Sequence, residues 1–183
     1  MNTTSKIVLG WSAFAGTHLI MSHPGNREKI INVVGGEKNF LGLYSAVALA
    51  TFIPQTYIYV KYRRAAPASS PGSLANGVGL TLNSLALLCW GQSVATPSAA
   101  GLPEQERIKT AEEANNTTAK GINRISRHPL FMSLALMGVG QALRLRRAPD
   151  LAYWLGFPLF WVIGSMHQVS LFQLTNHGSR ITD

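Results

Sequence analysis

The chain has 183 residues and a formal charge of +8, which leaves room for one domain; its single cysteine excludes a disulfide framework and a thiolate metal site. The charge does not indicate a nucleic-acid-binding protein, because the sixteen basic residues do not form one amphipathic face. They lie between five stretches that contain no charged residue, at 7–26, 39–60, 65–103, 129–143 and 151–179. Most of these stretches approach the ~20 residues that cross a ~30 Å hydrocarbon layer. We therefore predict an all-α polytopic membrane bundle of about five spans, formed by one domain over 1–183.

The five predicted spans follow one another in chain order. They cover about 7–22, 40–60, 73–94, 129–143 and 150–172. Between the first two, the polar segment from Asn26 to Asn39 is predicted to form a short helix. Pro54 predicts a kink in the second span, whose end carries tyrosines typical of an interfacial aromatic belt: Tyr57, Tyr59 and Tyr62.

One long extramembrane loop is predicted at 96–128. Its charged part, from Glu104 to Glu113, is predicted to form a surface helix along the membrane. We expect no carboxylate inside the spans, which argues against a proton-relay pump or a carboxylate-bound di-metal site. Glu37 is the acid most expected to matter; alternatively it is a surface residue favoured by the dipole of the helix that follows.

Five crossings would place every histidine on one side of the bilayer. Three histidines would lie at the same level, within or at the ends of the first, fourth and fifth spans: His18, His128 and His167. Two more, His23 and His177, would lie in the flanking segments. Histidines inside a membrane are candidates for function because an ionisable group is costly there. Imidazoles at one depth between apolar helices are typical of a heme b site.

The sequence around His18 allows two interpretations. Its helix face also carries residues at spacings of three, four and seven that could line a porphyrin: Trp11, Phe14, Ala15, Met21 and Ser22. Alternatively, the aromatic and apolar members of this stripe simply pack against neighbouring spans. The spacing alone favours packing.

The other two histidines are also ambiguous. His128 precedes Pro129 and is flanked by Arg124 and Arg127, so it could be a heme ligand whose arginines pair with propionates or an anionic substrate. Alternatively it begins a helix and the arginines anchor to lipid. His167 follows Gly164 by one turn, where a small residue permits close approach, and could be a ligand or an interhelical hydrogen-bonded tie.

Four blocks of residues together resemble the NnrU family over roughly residues 10–170. The first runs from Phe14 to Leu19 with Ser22, Pro24 and Arg27, and the second contains Gly36-Glu37, Phe40 and Tyr44-Ser45. The third contains Gly121-Ile122, Arg124 and Arg127-His128-Pro129, and the last Gly164, His167 and Gln168. The chain departs from the family at Gln141, where members often have a histidine.

This resemblance implies a function. The family includes proteins associated with nitrogen-oxide metabolism and a related zeta-carotene isomerase, in which a heme b held by two histidines is implied to drive cis–trans isomerisation of a polyene. Carried over, the axial iron ligands would be His18 and His128, with His167, Arg124 and Arg127 around them. The expected function is a heme-binding membrane protein, with redox-dependent isomerisation of an apolar polyene as its possible reaction.

A non-enzymatic alternative stays open at this point. Small size, basic span ends and a long loop also suit an accessory subunit of a larger respiratory or photosynthetic membrane complex. The expected partners are then membrane lipids and other subunits rather than nucleic acid. The expected location is a bacterial inner membrane or an organelle membrane, either the mitochondrial inner membrane or that of a plastid.

Overall fold

The computed structural model describes residues 1–67, 69–95 and 129–179, with side chains up to residue 167 in the last range. Within these ranges the chain forms seven α-helices and no strand, which confirms the all-α prediction. The helices are α1 (Thr3–Ser22), α2 (Pro24–Val34), α3 (Glu37–Tyr62), α4 (Ser73–Ala95), α5 (Pro129–Arg144), α6 (Ala148–Trp154) and α7 (Gly156–Ser179). A 3-10 turn, Arg63–Ala65, follows α3. The predicted surface helix at 104–113 lies outside the described residues.

The turn from α1 to α3 contains a polar helix, as predicted, but it covers Pro24–Val34 rather than 26–39, because α3 already begins at Glu37. Pro24 occupies the first turn of α2, where its missing N–H needs no partner. Gly35 and Gly36 end this helix with φ values of 80° and 129°, a backbone region that glycine adopts without a Cβ clash. Arg27 of α2 forms an ion pair with Glu37 at the start of α3. Glu37 therefore ties two helices together.

Helix α1 lies at the centre of the packing, because it contacts α2, α3, α6 and α7. Helix α4 packs mainly against α5, and α5 packs in turn against α6 and α7. The α4–α5 contact depends on Gly79 and Gly140: a methyl group at Gly79 would overlap the Gly140 carbonyl oxygen, and one at Gly140 would overlap that of Gly79. The two backbones can approach this closely only where side chains are absent.

The main core cluster joins α1 and α3 to α6. It contains Ile7, Trp11, Tyr59 and Tyr153, all buried. The Trp11 indole N–H donates a hydrogen bond to the Tyr153 carbonyl oxygen over 3.0 Å. Its ring occupies the space beside Gly156, where a methyl group would overlap it.

The predicted fifth span, 150–172, is not one continuous helix. The helix ends at Trp154 and a new one begins at Gly156. The physical reason is that Pro158 has no N–H to donate to the Trp154 carbonyl four residues earlier. The predicted fifth span is therefore divided between α6 and α7.

Two of the described helical segments are long and apolar enough to cross a membrane by length and composition, Glu37–Ala65 and Ser73–Ala95. Both expose most of their surface, and large apolar side chains point outward along the fold: Val60 is 67% exposed and Leu74 80%. The count of five spans is not confirmed and stays a prediction. The first four predicted spans each lie within one helix.

Candidate functional site

A cavity of about 580 Å³ lies where α1, α3, α4, α5 and α7 meet. This is within the range of about 300–1,000 Å³ typical of sites for small molecules and cofactors. Its lining is mostly apolar, with a few polar side chains. Lining residues include His18, Tyr44, Pro129, Phe160, Gly164 and His167.

His18 is the best-defined polar group of the cavity. Its side chain is 9% exposed, and its Nδ1 lies 2.9 Å from the Phe14 carbonyl oxygen one turn earlier. Because a carbonyl only accepts, Nδ1 carries the proton and Nε2 carries the lone pair. Three rings surround the imidazole, with centroids at 4.1 Å for Phe14, 4.7 Å for Tyr44 and 5.5 Å for Phe160. These contacts hold the imidazole in one orientation.

His167 lines the same cavity from α7, so the structure brings His18 and His167 to one site. The His167 ring also lies near that of His23, with 6.2 Å between the centroids. His23 itself is exposed at the end of α1. Among the described residues, no group of three or more histidine, cysteine or acidic side chains could hold a metal ion. This part of the chain thus offers single imidazoles rather than a chelating cluster.

Three predicted site residues, His128, Arg124 and Arg127, lie outside the described residues. Pro129, which directly follows His128, is fully buried and lines the cavity that contains His18. The start of α5 is therefore part of the same site. That placement is compatible with the predicted pair of histidines and leaves it untested.

The residues on the same face of α1 as His18 fall into two groups: some pack in the core, and others line the cavity. Trp11 and Met21 are buried, and Trp11 belongs to the core cluster, as the packing interpretation expected. Ser22 lines the cavity with His18. Gly164 also lines it, and a methyl group there would meet no described atom within 4 Å. The expectation of a close helix approach at Gly164 was therefore wrong; the missing side chain enlarges the cavity.

The sequence interpretation missed a buried polar cluster at the opposite end of α3. Asp150 has no exposed surface and accepts a hydrogen bond from the Tyr59 hydroxyl over 3.0 Å. Arg63 Nε lies 3.5 Å from its Oδ1, and Arg147 Nη1 lies 3.9 Å from its Oδ2. Trp154 Nε1 donates to the Tyr59 hydroxyl over 2.8 Å.

The expectation that the spans contain no carboxylate was wrong at Asp150, because it is the first residue of the predicted fifth span. A signal was available in the sequence. Asp150 is the only acid between 114 and 182, and it follows Arg147 by three residues, a spacing that places the two side chains on one helix face. Its burial depends on Tyr59, which comes from a distant helix.

Among the described residues, the His18 imidazole and the apolar cavity beside it suit a heme. An axial histidine of a metal site usually donates its second ring N–H to a carbonyl or carboxylate, and His18 makes this bond to Phe14. The surrounding rings supply the apolar slot that a porphyrin requires. Tyr44 was absent from the predicted site, although its ring packs on His18 from α3.

Comparison with known proteins places the chain in a family. A family model described as NnrU protein matches residues 6–171. No curated protein matches the chain, and no solved structure matches it.

Proposed function

Because the chain belongs to the NnrU family, we propose that it is an integral membrane protein that binds heme b in the cavity beside His18. The observation that carries the proposal is His18 itself, a buried imidazole whose Nδ1 is fixed by the Phe14 carbonyl and whose ring faces an apolar cavity. Such an imidazole has its Nε2 lone pair available for iron.

In this proposal the second histidine that would hold the heme is His128. Support comes from its neighbour Pro129, which lines the cavity from the start of α5, across from α1. Arg124 and Arg127 would then pair with the heme propionates. His167, which lines the cavity from α7, would lie beside the bound heme.

The residues of the chain have definable tasks at this site. Phe14 holds the tautomer and orientation of His18 through its carbonyl oxygen, while the rings of Tyr44 and Phe160 restrict rotation of the imidazole. Phe160 and Trp161 supply apolar surface that excludes water and suits a porphyrin or a polyene. A bound heme would supply one-electron chemistry or a Lewis acid. The reaction we propose is redox-dependent cis–trans isomerisation of an apolar polyene.

Membrane insertion is part of the proposal and has its own support. The segments Glu37–Ala65 and Ser73–Ala95 have the length and apolar character of spans, and their outward side chains would be costly to expose to water. We propose a five-span arrangement in a bacterial inner membrane or an organelle membrane.

A second candidate is an accessory subunit of a larger membrane complex. The exposed apolar surfaces of α3 and α4 favour it, because a partner subunit could cover them as well as lipid could. In that case the chain should co-purify with stable partners in mild detergent. Substitution of its histidines one at a time should leave the assembly intact.

The decisive experiment is an absorption spectrum of protein purified from cells supplied with a heme precursor. We expect a Soret band that is lost in His18→Ala and in His128→Ala. His23→Ala is the matched control, since His23 is exposed at the end of the same helix and should retain the band. External imidazole should restore the band in His18→Gly. Folded, colourless wild-type protein, or an unchanged spectrum in His18→Ala, would overturn the proposal.

A further inference from the structure

Basic residues from three helices and the segments that follow them lie at one end of the bundle, which we call the basic end. They are Lys6 near the start of α1, Lys61, Arg63 and Arg64 at the end of α3 and just after it, and Arg144, Arg146 and Arg147 at the end of α5 and just after it. Helix α1 begins at this end, because Ile7 packs in the core cluster with Tyr59, which lies near the end of α3.

The contacts of Arg147 show that the segments after α3 and α5 meet at the basic end. Arg63 and Arg147 both lie beside the Asp150 carboxylate. Arg147 Nε also donates a hydrogen bond to the Ala66 carbonyl oxygen over 3.2 Å. Asp150 is the one acid at this end among the described residues, and it has no exposed surface. It therefore neutralises charge inside the fold and leaves the outer surface basic.

The two ends of the bundle differ in the charge that they expose. At the basic end the exposed charged side chains of the described residues are all positive: Lys6, Lys61, Arg64 and Arg146. At the other end, α2 and the start of α3 carry basic and acidic residues in alternation: Arg27, Glu28, Lys29, Glu37 and Lys38. Surplus positive charge in the described part of the chain is therefore concentrated at one end.

Side chains near Lys61 have the character of a membrane surface. Lys61 Nζ donates to the Tyr57 hydroxyl over 2.9 Å and lies over the rings of Tyr57 and Tyr62 at 5.3 and 5.2 Å. Lysine and tyrosine on an outer surface are typical of the membrane–water interface. Val60, one residue before Lys61, is 67% exposed, so outward apolar and basic side chains adjoin at this level.

We propose that the basic end binds the phosphate groups of an anionic membrane leaflet and thereby fixes the orientation of the bundle. The basic end would stay on the side where the chain is synthesised, because exposed lysine and arginine side chains are attracted to anionic headgroups and resist transfer across the bilayer. This proposal rests on membrane insertion, which is part of the proposed function, and it is independent of heme.

The orientation determines the depth of the candidate site. Tyr44, which packs on His18, precedes Tyr59 by about four turns of α3, or roughly 22 Å at 1.5 Å per residue. The cavity beside His18 would therefore lie nearer the opposite leaflet. A cofactor or substrate bound there would be closest to the compartment across the membrane.

The test is the orientation of the full chain, synthesised in a cell-free system with vesicles of phosphatidylcholine and phosphatidylglycerol. Two reporter variants in a Cys89→Ser background carry a cysteine at opposite ends, at exposed positions: Ala65→Cys and Asn32→Cys. A maleimide that does not cross membranes should label Ala65→Cys in intact vesicles at least about tenfold more than Asn32→Cys. Opening the vesicles should expose both. With phosphatidylcholine alone the preference should largely disappear.

Charge variants make the test specific. Combined Lys6→Gln, Lys61→Gln, Arg64→Gln and Arg146→Gln should abolish the preference, because each residue contributes roughly fivefold to binding at an anionic surface. These substitutions leave Arg63, Arg147 and Asp150 intact. Exchange of lysine for arginine and arginine for lysine at the same positions keeps the charge and should keep the preference. Lys29→Gln with Lys38→Gln, at the other end, should also keep it.

Three results would overturn the proposal: preferential labelling of Asn32→Cys in intact vesicles, an equal preference with and without phosphatidylglycerol, or an unchanged preference in the glutamine variant. Inserted protein with the wrong orientation would contradict this proposal and leave the proposed function untouched. Wild-type protein that stays in solution would instead contradict membrane insertion, and with it both proposals.

Discussion

The Tyr59 hydroxyl donates a hydrogen bond to Asp150, a carboxylate without exposed surface, and accepts one from Arg63 Nη1 over 2.8 Å. Tyr59 also stacks on Tyr153, with 4.1 Å between ring centroids and 1° between ring planes. Tyr59 therefore joins the end of α3 to α6, through its hydrogen bond to Asp150 and its stacking on Tyr153.

Removal of the Asp150 carboxylate should destabilise the fold. Asp150→Ala leaves Arg63 and Arg147 without their shared acid, and we expect a loss of about 2–4 kcal/mol, less than for a fully buried ion pair because both arginines reach solvent. Asp150→Asn keeps an acceptor for Tyr59 and should lose about half as much. Thermal unfolding in detergent measures both. Equal Tm values for wild type and Asp150→Ala would contradict the structural role.

Substitution of a glycine at the α4–α5 contact should separate the two helices. Gly79→Ala would push its methyl group into the Gly140 carbonyl oxygen and Arg144, with an expected loss of about 1–3 kcal/mol. Gly77→Ala on the same helix is the control, because its methyl group meets open space and alanine favours a helix. A Tm of Gly79→Ala equal to or above that of the wild type would contradict the role of close helix approach at Gly79.

Gly164→Leu should block the cavity and leave the fold intact. Gly164 lines the cavity and has open space around it, so a leucine side chain would occupy the volume assigned to heme. We expect heme affinity to fall about tenfold or more, from an overpacking cost of about 1–3 kcal/mol. Heme titration followed by absorbance measures it, with exposed Gly42→Leu as control. Undiminished affinity in Gly164→Leu would place the heme elsewhere.

Gln55→Met should stabilise the protein. Gln55 is 1% exposed, and neither amide atom has a hydrogen-bond partner within the described part of the chain. Methionine has a similar shape without this desolvation cost, so we expect a gain of about 1 kcal/mol in the free energy of unfolding. The readout is Tm in the same detergent. A lower Tm would indicate a polar partner of Gln55, such as an internal water.

The sequence was sufficient for the features that depend on local pattern. The apolar stretches predict most of the helices, and the polar segment between the first two predicts a short helix, although its observed bounds are Pro24–Val34 rather than 26–39. His18 was identifiable as a site candidate because a histidine in a charge-free helix is unusual. Its position on the cavity wall agrees with that reasoning.

The features that depend on distant partners were beyond the sequence. Tyr57, Tyr59 and Tyr62 look alike as an interfacial belt, yet Tyr59 turns inward because Asp150 and Trp154 meet its hydroxyl. Likewise, the local sequence gives no reason for a glycine at position 156. The reason is the Trp11 ring, which occupies the space that a side chain there would need. In both cases the partner is more than 90 residues away in the chain.

The hydrogen bond between Trp11 and the Tyr153 carbonyl has a consequence for biosynthesis, since the two residues are 142 positions apart. A nascent chain that has emerged only as far as α5 has Phe52 beside the indole but lacks the carbonyl oxygen that accepts its N–H. Formation of this hydrogen bond must therefore wait until the chain up to Tyr153 has left the ribosome. Products truncated before residue 153 should lack this contact and be degraded by quality-control proteases, because a segment synthesised late completes the surroundings of one synthesised early.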